Sequence, residues 1–93
     1  MSNLDSDKKV LVELYKSAIC PRCMYVAKVL RDIQQKYPQV EIEAIDIATN
    51  IRRMRRAGVS VFPAIKIGSK QKAWYVPDNQ EIWDFVESAI EKQ

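Results

Sequence analysis

Two cysteines, Cys20 and Cys23, flank a proline and an arginine in the stretch SAICPRCMYVAKVL, and the 93 residues contain no other cysteine. They stand where an apolar, β-branched run, VLVELYK (10–16), gives way to an apolar pattern of helical period. That junction restricts the chain more than any other feature. The pair can be a reactive dithiol, half of a metal site, or two small buried hydrophobes. Free cysteine is among the most buried residue types. Cys23 fits that reading because it lies on the apolar stripe, whereas Cys20 lies at the helix entrance. A purely structural disulfide would close a loop of only two intervening residues, so its entropic contribution would be small. Tetrahedral zinc takes four ligands, usually cysteine and histidine. The chain has no histidine and no third cysteine, so a metal would need a second copy or an external thiol.

The reactive reading has a physical basis. Positions i and i+3 at a helix start bring two sulfurs within reach of one bond. The first helical turn presents unpaired N–H groups and about half a positive charge. That field stabilises a thiolate on Cys20 and lowers its pKa. Arg22 adds a full positive charge, and Lys16 can add another. Pro21 suits the first turn, where its missing N–H costs nothing. Cys20 is expected to attack a disulfide as thiolate, and the less exposed Cys23 to resolve the mixed disulfide.

The rest of the chain supplies a frame. Residues 10–16 read as an internal strand, apolar on both faces. The helix opening near Cys20 carries Cys23, Val26, Ala27, Leu30, Ile33 and Tyr37 at three-to-four spacing, and Pro38 stops it. VEIEAID (40–46) alternates as an edge strand does. ATNIRRMRRAG (48–58) predicts a short helix ended by Gly58, with Ile51 and Met54 on its buried side. VFPAIKIGSKQKAWYV predicts a hairpin with strands over 62–67 and 71–76 and a turn at Gly68–Lys70. In the last helix, Asp78 and Glu81 have capping-box spacing, and Ile82, Phe85, Val86, Ala89 and Ile90 form the apolar stripe. The order β-α-β-α-β-β-α predicts an α/β domain whose first crossover gives two parallel strands.

Length predicts one domain over residues 1–93, with residues 1–8 as a flexible tail. No run approaches the roughly 20 apolar residues of a membrane span, so no membrane partner is expected. MSNLDSDKK lacks the apolar region of a secretory signal, which predicts a cytoplasmic protein. In that compartment a CxxC reads as redox or metal chemistry. A net charge of +3 is too weak to imply nucleic acid. Arg52, Arg53, Arg55 and Arg56 share one helix without interleaved aromatics, which is a weak nucleic-acid footprint. They can dock an acidic partner or an anionic thiol, or form a solvated face balanced by Glu41 and Glu43. Trp74 and Tyr75 should point opposite ways, one to the core and one to the rim, and Trp83 should pack in the core.

With CPRC closing the first βα turn and VFP opening the third strand, residues 9–92 resemble the thioredoxin/glutaredoxin superfamily. The resemblance implies a thioredoxin-like fold, a four-stranded mixed sheet in the order 2-1-3-4 with helices on both faces. It makes Pro63 a cis-proline facing the CxxC pair, with Phe62 offering backbone hydrogen bonds to an extended substrate. It implies a thiol–disulfide oxidoreductase acting on protein disulfides in electron transport and cell redox homeostasis. That enzyme would be a monomer without a bound cofactor or metal, recharged by a thioredoxin-reductase-type or glutathione-based donor. Thioredoxins read WCGPC and bury an acid six residues before the first cysteine; here Ile19 and Leu14 hold those places, and Glu13 should face the other side. Pro21 and the short N-terminus are more similar to glutaredoxins. Those carry TVP and a Gly-Gly…Asp glutathione signature, against SVFP here, with only Asp78 in the corresponding place. The alternative is a thioredoxin-fold binding module or redox sensor, such as a metal or iron–sulfur carrier bridged through Cys20.

Overall fold

The computed structural model describes residues 9–91, so the tail expected over residues 1–8 lies outside the described residues. The strands are β1 (Val10–Lys16), β2 (Val40–Asp46), β3 (Ala64–Ile67) and β4 (Lys70–Ala73). The helices are α1 (Pro21–Lys36), α2 (Ile51–Arg56) and α3 (Asn79–Glu91). The four strands form one sheet in the order β2-β1-β3-β4. β1 runs parallel to β2 from Val10↔Val40 to Lys16↔Asp46, as a crossover through α1 requires. β3 is antiparallel to both β1 and β4. The expected α/β architecture, with β1 internal and β2 at an edge, is therefore what forms.

Alternation along β1 divides the core in two. Val10, Val12 and Leu14 point to one face and join Val40, Ile65 and Ile67 of the sheet. On that face they meet Val26, Val29, Leu30 and Ile33 of α1 and Ile82, Val86 and Ala89 of α3. Tyr15 points the other way, into a smaller cluster with Ile45, Val59 and Ala64, against which Met54 and Ala57 of the α2 region pack. Helices thus cover both faces, and α1 and α3 share the larger core. Trp74 belongs to that core, edge-on to Phe85, and Trp83 packs against it while Tyr75 is exposed.

Several boundaries move inward from the expected ones, each for a local reason. Asp46 organises the chain after β2: its carboxylate accepts from the Ala48 N–H at 2.9 Å, and its carbonyl from the Asn50 side chain at 2.9 Å. This Asx-type turn occupies residues that would otherwise start the helix, so α2 begins at Ile51 rather than 48. At its other end Gly58, at φ 75°, donates to the Arg55 carbonyl, and Val59 donates to the Met54 carbonyl. This pair of bonds is the Schellman arrangement, which favours glycine at that position. Met54 does pack inward, but Ile51 is exposed, contrary to expectation.

The hairpin is also shorter. β3 starts after Pro63, which has no N–H for the ladder. Its carbonyl accepts from the Trp74 N–H at 3.0 Å, and Trp74–Val76 leave the strand. Ile67 pairs with Lys70, so the turn is Gly68–Ser69 alone, with Gly68 at φ 60°. The Asp78 carboxylate accepts the Glu81 N–H at 3.0 Å, the first half of the expected capping box. The second half does not form, because the Glu81 carboxylate accepts from the Trp74 indole instead.

Candidate active site

The site grows out of the register at one end of the sheet. β1 ends at Lys16, and α1 starts at Pro21. Tyr15 pairs with Ala64, so the head of β3 lies beside the tail of β1. The Phe62–Pro63 peptide immediately before it is cis, and Pro63 is buried. An antiparallel partner and a helix-bound loop therefore bring residues 62–63 and 17–23 to the same end of the sheet.

Cys20 is the N-cap of α1, in extended backbone conformation, with Pro21 in the first turn. Its sulfur accepts the Cys23 N–H at 3.1 Å. Its carbonyl accepts the Met24 N–H at 3.0 Å, so the first turn is closed. Cys20 and Cys23 are joined by a disulfide, with Cα atoms 5.2 Å apart. Cys20 is 6% exposed and Cys23 1%, so both are buried, contrary to the expectation that Cys20 would stand apart from the core, and Cys20 keeps slightly more access. The same N–H that reaches the Cys20 sulfur in the disulfide is aimed to donate to a thiolate there, as charge-assisted capping requires.

Arg22 does not sit as an unengaged charge between the cysteines. Its Nη1 donates to the carbonyl of Tyr75 at 2.7 Å, tying the start of α1 to the segment between β4 and α3. No local signal in the sequence could have indicated a partner 53 residues away. Tyr75 takes the expected rim position, and the apolar rim extends beyond it: Ile19 is 91% exposed, and Met24 and Val76 are exposed as well. The sign of this extension in the sequence was apolar residues outside the strands and helices, at Ile19 and at Val76–Pro77.

The arginine helix separates into two populations. Arg53 turns toward the sheet, where it forks onto both carboxylate oxygens of Glu43 at 2.8 and 2.9 Å and reaches Glu13 at 3.1 Å. Those hydrogen bonds hold the Glu43 carboxyl below the usual carboxylate range and raise the already high guanidinium pKa. Glu13 also accepts from the Tyr15 hydroxyl, whose pKa is raised by burial and by that carboxylate. Arg53 is thus engaged within the chain by Glu43 and Glu13, the balanced-face alternative for this helix. The balance falls partly to Glu43 as anticipated, while Glu41 pairs with Lys9 instead. Arg52, Arg55 and Arg56 are exposed. Glu13 faces away from Leu14, which lies in the larger core.

Among the described residues no three His, Cys, Asp or Glu side chains converge on one point, and no helix is long and apolar enough to cross a membrane.

Comparison with known proteins agrees with this geometry. The family model described as thioredoxin matches residues 2–88. A thioredoxin of Methanocaldococcus jannaschii is 24% identical over 83 residues, covering 88% of this chain and 98% of that protein. Thioredoxin 1 of Thermosipho africanus superposes with a TM-score of 0.72 at 21% identity, covering 88% of this chain and 96% of that one. Oxidised thioredoxin O2 of Arabidopsis thaliana gives 0.70 at 23% identity, covering 94% and 83%. The solved structures speak for the fold; the family match, reaching from one end of the chain almost to the other and spanning the CPRC turn, says more. It places this chain in the thioredoxin family, and with the Cys20–Cys23 disulfide it supports an oxidoreductase of the thioredoxin type.

Proposed function

We propose that the protein reduces or exchanges disulfides of protein substrates through a mixed disulfide. The Cys20 thiolate attacks one sulfur of the substrate disulfide, that bond breaks, and one substrate thiolate leaves. Cys23, as thiolate, then attacks the Cys20 sulfur. The second substrate thiolate leaves, two electrons have passed to the substrate, and the Cys20–Cys23 disulfide remains. A reductase of the thioredoxin type or a glutathione-based donor recharges it. The observation that carries this reading is the placement of Cys20 at the N-cap, bonded to Cys23 and facing its N–H. Phe62 and Pro63 hold the substrate strand against the pair, a role supported by their position beside the end of β1. The working place is the cytoplasm, where the prevailing poise makes the direction reductive. Arg52, Arg55 and Arg56 remain the arginines able to meet an acidic partner.

Equilibration against glutathione redox buffers, with free thiols trapped and counted, tests the reading. A reversible two-electron couple between about −270 and −180 mV is expected, the range of working oxidoreductases. Absence of any intramolecular couple would overturn it and favour a binding or scaffold role for the cysteines.

A further inference from the structure

The groove beside Cys20 has no part in the exchange steps above. Pro21, Arg22 and Tyr25 line it from α1, and Pro77 lines it from the segment before α3, around a volume of about 280 Å³. The Pro77 wall belongs to no helix or strand. What joins it to α1 is Arg22, through the 2.7 Å hydrogen bond to the Tyr75 carbonyl. We propose that Arg22 is a positioning residue for substrate choice: by holding the Tyr75–Pro77 segment against α1, it forms a subsite for one apolar or aromatic side chain next to the reacting cysteine of the substrate.

The lining argues for that occupant. Three of its four residues present rings, and the guanidinium of the fourth is directed at a carbonyl. A cationic substrate side chain would meet the like charge of Arg22, and an acidic one could pair only with the exposed N–H groups that the Tyr75 carbonyl leaves, a weak surface contact, whereas an apolar one gains burial against the three rings. Pro21 follows Cys20 directly, so a residue adjacent to the substrate cysteine is within reach of the groove. Exposed Met24 and Val76 add apolar surface on the same two segments.

The inference rests on the exchange reading, and the experiment separates the two. Reduced protein is mixed in single-turnover reactions with two peptide disulfides, one with Phe and one with Gly beside the cysteine. Wild type should favour the Phe peptide about tenfold in half-saturation concentration, the lower end of what a filled pocket gives. Arg22→Met should abolish that preference while the limiting rates for the two peptides stay in their wild-type ratio. Arg22→Lys, which retains a donor for the Tyr75 carbonyl, should restore most of it. Slowing of both peptides by Arg22→Met with the Phe preference in half-saturation concentration intact would show a purely electrostatic role at Cys20 and overturn the proposal, as would a wild type without preference. Failure of the wild type to exchange with either peptide would end the exchange reading itself, and the subsite with it.

Discussion

A Cys23→Ser protein should accumulate a covalent complex with its substrate, reversible by dithiothreitol and visible as a mass shift on a non-reducing gel. The expectation follows from where the sulfurs sit. Cys20 caps α1 and Cys23 lies one turn inside it, nearly without solvent access. Once Cys20 has attacked, the nearest thiol able to break the mixed disulfide is Cys23, held at a Cα separation of 5.2 Å in the closed pair. Intramolecular groups so placed act as if present at very high effective concentration, so removing one strands the intermediate. Cys20→Ser should lower turnover on the order of 10³-fold or more and trap nothing, because a buried Cys23 cannot reach a protein disulfide. Complexes trapped by Cys20→Ser but not by Cys23→Ser would reverse the assigned roles.

Leu14→Asp should be severely destabilising, and increasingly so as pH rises. Leu14 is 0% exposed on the central strand, paired with Ala44 and Ile65, and no polar or charged side chain is buried among the described residues. A carboxylate introduced there has no partner, so the group stays protonated and its folded pKa is raised. A group whose folded pKa exceeds its unfolded value near 3.9 loses about 1.4 kcal/mol of stability per pH unit between the two. Relative to Leu14→Asn, the Asp variant should therefore lose roughly 2 to 3 kcal/mol more at pH 6.5 than at pH 4.5, measured by urea unfolding. Parallel pH profiles for the two variants would mean that the carboxylate finds solvent or a cation.

Most of the fold was legible because each element carried its own local signal. The parallel β1–β2 pair followed from periodicity and a crossover of helical length, and the helix stops at Pro38 and Gly58 were where stereochemistry demanded them. What was not legible depended on contacts between distant residues. Ile51 reads as core on a helical wheel, but a helix of six residues whose start is taken by the Asp46 turn cannot bury it. Arg53 looked like its three neighbours until the sheet placed Glu13 and Glu43 opposite it. Arg22 carried a charge suited to a thiolate, yet its partner is a carbonyl delivered by the far end of the chain. The cysteine pair itself needed only four residues and the strand before it.

The division of the core into a large and a small cluster bears on how the native state fluctuates. α2 buries no residue of its own and relies on Met54, the adjoining Ala57, the Arg53 fork and its glycine stop. Such a segment opens at a small fraction of the free energy needed to unfold the whole domain. Amide hydrogens of residues 54–59 should exchange with solvent well before those of Val26–Ile33, whose release requires α1 to leave the sheet; equal protection of both would show a single cooperative unit. The chain would then breathe on its arginine-bearing side while α1, the helix that carries the disulfide, stays seated.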